Sequence, residues 1–248
     1  MPYDKIKIAV ILKDGCCMKN SEIFNFLKQF PIFKDLNEYE MEPIVDFARS
    51  RKYETGKIVF MQHEPITDVY FIQEGKVKVY KTDYEGKEQI VNVLQKDDMF
   101  PHQGLFRKGN YPAHAEILEE ALLVNIPIVS FESFLITHPE ISIKMFRVLG
   151  EIIVDLQSRL EEKILYNVYD QIVLLLMRLA KKNGEQIDKE TFRLTVHLTN
   201  RELANMIGSS RETVSRTLTQ LKKEEIVLND KAGHLIIKYP ALEEKVLN

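Results

Sequence analysis

Cysteine is almost missing from this chain: Cys16 and Cys17 are the only two in 248 residues. An adjacent pair can close only a strained ring, which excludes an intrachain disulfide framework, and one subunit cannot build a four-cysteine zinc or iron–sulfur centre. A redox role for Cys16 and Cys17 would run through intersubunit or mixed disulfides, and two inert thiols in an N-terminal extension is the simpler reading. Long apolar runs are missing too. The stretch Ile8-Ala9-Val10-Ile11-Leu12 falls well short of the roughly 20 residues of a membrane span and lacks a small-residue cleavage site, so a soluble cytoplasmic protein with no membrane contact is expected. Neither charge sign dominates. With 34 basic and 37 acidic residues the formal net charge is -3, which excludes a wholly basic nucleic-acid coat protein but not a local basic surface. There is no Gly/Ser/Pro tract, internal repeat or low-complexity stretch.

What is present is ample apolar material, 45% of the chain, enough for one large or two ordinary domains without metal or disulfide staples. Residues 1–20 fit no pattern and read as an accessory extension. Ser21–Phe30 and Asn37–Arg49 read as short amphipathic helices. From about Tyr53 to Pro127 the chain reads as short strands, among them Lys57–Met61, Asp68–Gln73, Lys76–Lys81 and Glu88–Leu94, punctuated by Gly56, Gly75 and the Asp83–Gly86 turn. That spacing predicts an antiparallel barrel, roll or sandwich over residues 21–138. At Pro139 the period changes. Phe146, Leu149, Ile153, Leu156, Leu160 and Ile164 recur every three or four residues, one stripe on a long helix over 139–166 that packs on its own domain or pairs with a second subunit. The stripe loses regularity near Tyr166-Asn167, so a hinge is placed at about 165–169, with a further domain over 167–248.

The stretch Leu198–Glu224 carries the chemistry. Thr199-Asn200-Arg201-Glu202 is a capping box that opens a short helix with Leu203, Met206 and Ile207 on one face. Gly208 supplies a tight turn. Ser209-Ser210-Arg211-Glu212 repeats the capping spacing and opens a second helix, with Val214, Leu218 and Leu221 inward and Arg211, Glu212, Ser215, Arg216 and Thr219 outward. This is a helix-turn-helix, and Ile226–Leu228, the Asp230–Gly233 turn and His234–Lys238 add a wing. Arg bonds guanine O6 and N7 bidentately, Glu accepts from cytosine N4, and Ser adapts to either. Thr199, Asn200, Ser209 and Ser210, with the helix N-terminus, are placed to hold phosphates, and Thr213 is a further candidate DNA contact. Between Thr191 and Lys223 six basic residues face two acidic ones, a local excess of +4 that the whole-chain balance hides.

The order of β-roll, long helix and winged helix-turn-helix resembles the CRP/FNR family of bacterial transcription regulators over roughly Glu22 to Pro240. The most specific part is Ser210–Arg216, which looks like the family's recognition helix. Glu212-x-x-Ser215-Arg216 is similar to the FNR branch and Arg211 to the cAMP-receptor branch. The resemblance implies an α+β fold: a cupin-like antiparallel jelly roll as sensor, a dimerisation helix and a winged helix-turn-helix. It implies base reading by Arg211, Glu212 and Arg216 at a palindrome with TGTGA-like or TTGA-like half-sites, a homodimer, double-stranded DNA and RNA polymerase as partners, and no enzymatic activity.

Departures from the family's sensor narrow the effector. Pro101-His102 stands where cAMP-binding relatives carry Gly-Glu, and Tyr111-Pro112-Ala113 where they carry Arg-Ser, so the ribose and phosphate would lose their partners. Cyclic-nucleotide dependence is therefore not expected. An effector pocket, if one exists, would draw on His102, Gln103, Arg107, Tyr111 and His114. Haem would need a His or Cys ligand, and His63, His102, His114, His138, His197 and His234 show no diagnostic spacing. A metal-dependent cupin enzyme needs His-x-His with a carboxylate, which the isolated His102 and His114 do not supply. No metal or cofactor is expected. The stretch from Met99 to Phe106 looks like ArcR-type regulators of arginine deiminase pathways.

Overall fold

The computed structural model describes residues 18–105 and 109–247. Two short helices lead: α1 (Asn20–Leu27) and α2 (Glu38–Val45), the second held by a reciprocal cap in which Asn37 Oδ1 accepts from Glu40 N–H and Glu40 Oε2 accepts from Asn37 N–H. α2 is shorter than the helix expected over Asn37–Arg49, because the chain turns at Ala48 to enter a strand. The strands β1 (Arg49–Tyr53), β2 (Ile58–Phe60), β3 (Asp68–Thr82), β4 (Glu88–Leu94), β5 (Met99–Phe100) and β6 (His114–Pro127) form one antiparallel roll. Its spine runs β1-β6-β3-β4, with β2 on β6 and β5 on β3. α3 (Ile128–Thr137) and the long α4 (Pro139–Leu165) follow, then α5 (Val168–Asn183). The C-terminal part adds β7 (Gly184–Gln186), β8 (Thr191–Leu194), α6 (Asn200–Ile207), α7 (Arg211–Lys223), β9 (Val227–Asn229), β10 (Leu235–Lys238) and α8 (Tyr239–Leu247), its sheet ordered β7-β8-β10-β9.

One glycine rephases the roll. The sequence suggests that Gly75 ends a strand, yet β3 runs unbroken through it. Register against β6 shifts between Ile72 and Val77, and Gly75 sits at φ +84 with room for no side chain: a Cβ there would stand 2.2 Å from the Glu120 carbonyl. A bulge flips the side-chain alternation. Before it, Tyr70 and Ile72 face the roll interior while Val69 and Phe71 pack under α1–α3. After it, Val77 faces inward and Lys76, Lys78 and Tyr80 face out.

Three cores result. Under the leading helices, Phe71 meets Phe30 edge-on at 5.0 Å and Phe131 at 5.8 Å. Each such aromatic pair adds about 0.5–1.5 kcal/mol beyond its buried area. The roll interior is filled by Phe60, Tyr70, Phe100, Tyr111 and aliphatics. The C-terminal core gathers Ile172, Leu176, Leu203, Val214, Leu218, Leu221 and Ile237. A fourth, smaller cluster joins Tyr80, Ile90 and Val93 of the roll to Val196, with Leu198 and Met206 against it, and so docks the C-terminal part on the outer face of β3 and β4.

The stripe on α4 stays largely uncovered: Phe146, Ile153, Leu156, Leu160 and Ile164 are all exposed, and only Ile141 and Met145 of that helix are buried. No helix among the described residues is long and apolar enough to cross a membrane.

Candidate nucleic-acid interface

α6 opens as its sequence predicts. Thr199 Oγ1 accepts from Glu202 N–H at 3.2 Å and donates to the Glu202 carboxylate at 2.8 Å, and that carboxylate also accepts from Thr199 N–H. Gly208 ends the helix at φ 64 and ψ 41, a left-handed conformation that costs a glycine nothing sterically. The second cap differs from expectation by one residue. Ser209 N–H still bonds the Ala204 carbonyl, so Ser209 belongs to the end of α6, and Ser210 is the N-cap of α7. Ser210 Oγ accepts from Thr213 N–H at 3.1 Å and lies 2.9 Å from Thr213 Oγ1, leaving Glu212 outside the capping box.

That shift frees Glu212 for the surface. Its carboxylate is held below the usual range by its own backbone N–H, by the Ser210 hydroxyl, and by the nearby charges of Arg211 and Arg216. Arg211, Glu212 and Arg216 are all exposed at the start of α7, and Ser215 and Thr213 are half-buried beside them. On the opposite side Val214, Leu218 and Leu221 are 0–3% exposed, which fixes the rotation of the helix about its axis. The outward tips thus form a guanidinium–carboxylate–guanidinium array at the positive end of a helix, on a rigid base. Behind it, the wing is tied by Arg193, whose Nε donates to Asp230 at 2.6 Å; that bond holds the Asp230 carboxyl down at about 2.

The other expected residues are distributed unevenly. Thr199 spends both hydrogen-bonding roles on Glu202, and Asn200 begins α6. Ser209 lines a cleft between the α6–α7 turn and the β3–β4 hairpin, together with Asn205, Lys81 and Asp83. The residues suggested for an effector pocket have separate surroundings. Tyr111 is buried in the roll, stacked on Phe60 at 3.8 Å, and its hydroxyl accepts from Thr67 and Asp68 N–H. His114 lies on the outer face, stacked on Tyr80, with Nδ1 accepting from Gln62 N–H. His102 follows β5, and burial together with the charge of Lys182 pushes its pKa down to about 4. Gln103 is exposed. Arg107, Cys16 and Cys17 lie outside the described residues.

Sequence reasoning missed the residues that dock the two parts. Lys76 is buried, bonded to the Glu119 carboxylate and the Thr195 carbonyl. Gln95 donates to the Lys182 carbonyl and accepts from Asn183, Arg159 donates to the Val91 carbonyl, and Lys163 donates to the Ile207 carbonyl. The usable signal was the alternation Lys76-Val77-Lys78-Val79-Tyr80, which sends Lys76, Lys78 and Tyr80 to one face of the strand.

Comparison with known proteins matches this architecture. Residues 50–138 fit the family model described as a cyclic nucleotide-binding domain, and residues 171–245 the one described as a Crp-like helix-turn-helix domain. A CRP-like cAMP-activated global transcriptional regulator of Mycobacterium tuberculosis is 31% identical over 179 residues, covering 72% of this chain and 76% of that protein. The anaerobic regulatory protein of Bacillus subtilis is 24% identical over 215 residues, 86% of this chain and 90% of its own. Among solved structures, a CooA mutant from Carboxydothermus hydrogenoformans superposes with a TM-score of 0.70 at 22% identity, covering 94% of this chain and 97% of that one. FixK2 from Bradyrhizobium japonicum gives 0.69 at 19% identity over 79% and 96%. With its roll, its long helix and an outward-facing helix-turn-helix, this chain belongs to the CRP/FNR family of DNA-binding transcription regulators.

Proposed function

We propose that the protein acts as a homodimer paired through the exposed stripe of α4, reading a palindromic site with TGTGA-like or TTGA-like half-sites. Arg211, Glu212 and Arg216 read base edges, with Ser215 adaptable beside them. Asn200, Ser209 and Ser210 engage phosphates and set register, Thr199 acts there by fixing the N-terminus of α6 through Glu202, and Thr213 lies at the DNA beside them. The two-fold axis of a dimer matches the palindrome, placing the reading helices about one DNA turn apart. Once bound, the dimer works on RNA polymerase in the cytoplasm.

The observation that carries this reading is the exposed array on α7 opposed by the buried Val214, Leu218 and Leu221. Five exposed apolar residues along the stripe of α4 support the pairing. Regulation is independent of cAMP in this reading, which is supported by the Phe60–Tyr111 stack filling the roll and by Pro101-His102 where a carboxylate would be needed. Arginine metabolism is the regulon to examine first, on the likeness of Met99–Phe106 to ArcR-type regulators.

Selection of bound duplexes from a random library tests the reading. A palindrome with half-site centres about 10 base pairs apart is expected. A non-palindromic consensus, or a monomer in sedimentation at micromolar concentration, would overturn it. Mapping bound genomic DNA with and without oxygen and arginine then gives regulon and stimulus together.

A further inference from the structure

An open cleft of about 370 Å³ separates the C-terminal half of α4 from the reading head of the same chain. Leu156 and Leu160 of the α4 stripe form one wall, and Leu175 and Leu179 of α5 with Met206 and Ile207 of α6 form the other. Leu156 and Leu160 are 46% and 62% exposed, so a helix laid along the stripe meets the head as well. We propose that a second copy of this chain fills the cleft, with the partner's Ile164 seated between Leu160 and the end of α6, so that each reading head is held by both copies. This rests on the reading of the chain as a homodimer paired through α4, and names the surface of the head on which that partner bears.

The last turn of α4 carries the signal. Phe146, Leu149, Ile153, Leu156 and Leu160 advance in alternating steps of three and four, a seam whose next position is 163. That position holds Lys163, and the apolar residue comes one later, Ile164. Viewed down the helix, Lys163 lies about 60° to one side of Leu160 and Ile164 about 40° to the other. The chain's own head takes the Lys163 side. Lys163 Nζ donates to the Ile207 carbonyl at 2.8 Å and to Gln171 Oε1 at 3.3 Å, and Glu162 accepts from Arg178 at 2.8 Å. Ile164 is left on the far side, 71% exposed and outside the walls of the cleft.

Two-fold symmetry supplies the seat that Ile164 lacks. Reading heads one DNA turn apart require the two α4 helices to run parallel, because an antiparallel pair would put the heads at opposite ends of a helix about 40 Å long. In a parallel pair the two flanks of the seam are exchanged between neighbours, as the g positions of one helix meet the e positions of the other. The Ile164 side of one copy therefore faces the Lys163 side, and the cleft, of the other. Charge agrees with this placement. Lys163 has no carboxylate partner among the described residues, and Glu161, exposed and without an ion pair among them, lies on the Ile164 side and comes opposite the partner's Lys163. Ile207 is the last residue of α6 before Gly208, so the pairing of the copies bears on the turn that aims α7.

Cross-linking between differently tagged full-length chains tests the contact, all of them carrying Cys16→Ser and Cys17→Ser. Chains with Ile164→Cys, mixed with chains carrying Ile207→Cys and oxidised, should form an interchain disulfide joining positions 164 and 207, identified by peptide mass. Its yield should exceed by about threefold or more that obtained with Lys231→Cys on the wing in place of Ile207→Cys. Ile164→Ala and Ile207→Ala should each weaken dimerisation about threefold or more in sedimentation, and the double variant should be little weaker than the weaker single one, with circular dichroism melts confirming that all fold. A dimer in which position 164 links only to its own counterpart, or whose dissociation constant ignores Ile207→Ala, would overturn the contact and leave the homodimer standing. A parent chain that stays monomeric at micromolar concentration would overturn the homodimer reading, and the contact with it.

Discussion

Arg216 offers the sharpest perturbation. Its side chain is exposed on α7, two residues from each of the buried anchors Val214 and Leu218, and it holds no structural hydrogen bond among those observed. Arg216→Ala should therefore leave folding stability within about 0.5 kcal/mol of the parent. A guanidinium bidentate to guanine is worth about 1–3 kcal/mol of discrimination per base pair, so two half-sites of a dimer lose about 2–6 kcal/mol between specific and scrambled duplex. Arg216→Lys keeps the charge and loses the fork, and should recover non-specific affinity without recovering discrimination. Fluorescence anisotropy at several salt concentrations separates the possibilities. If Arg216→Ala weakened both duplexes equally and reduced the logarithmic salt slope by about 1 per reading head, the residue would be a phosphate contact and the base-reading role would be refuted.

Other perturbations test the scaffold. Gly75→Ala forces a Cβ to within 2.2 Å of the Glu120 carbonyl at a φ of +84, and should destabilise the roll by about 2 kcal/mol or more in urea titration; a silent variant would refute the bulge. Tyr111→Phe keeps the stack on Phe60 but strands the N–H groups of Thr67 and Asp68, a loss of about 1–3 kcal/mol by the same measurement, and an unchanged midpoint would remove the hydroxyl as an anchor. His102 is neutral in the fold with a pKa of about 4, so the unfolded chain binds the extra proton between that value and about 6.5. Stability contributed there is complete above about pH 6.5 and falls as pH drops toward 4, by up to about 3 kcal/mol. His102→Asn should flatten that limb of the pH–stability curve, and an unaltered limb would contradict the burial of His102.

How much of this was legible in the sequence depends on where local chemistry decides the structure. α6 and the hydrophobic seating of α7 could be read directly, because caps and heptad-like spacing act within one turn. The choice between Ser209 and Ser210 could not, since both satisfy a capping spacing and only the Ser209 bond back to Ala204 separates them. β1, Arg-Ser-Arg-Lys-Tyr, carries no apolar signal and exists because β6 offers it an edge. β6 was hidden by adjacent Glu119 and Glu120, where bulges break the alternation. Gly75 suggested punctuation because a bulge and a turn ask the same thing of a glycine. The suggested effector residues were close in sequence, but Tyr111 precedes β6, with its backbone bonded to His63 and Glu64 and its ring in the roll, whereas His114 opens β6 opposite Tyr80 with its ring on the outer face.

The docking of the reading head has its own energetic logic. The cluster joining it to the roll buries only Tyr80, Ile90, Val93 and Val196, against far larger cores within each part. Bonds to carbonyls from Lys76 and Gln95 cross directly between the parts, while Arg159 and Lys163 tie the intervening α4 to β4 and to α6; water replaces each at a net cost of about 0.5–3 kcal/mol. A small, polar interface between two independently cored parts permits relative motion, whereas a large apolar one would lock them. Lys76 and Glu119 pair within the roll, across β3 and β6, so that ion pair persists on undocking; what undocking breaks is the Lys76 bond to the Thr195 carbonyl, which fixes the geometry of the docked state without making it deep. A difference of a few kcal/mol between docked and undocked states lies within the reach of one small ligand, and a regulator of this build needs no more than that.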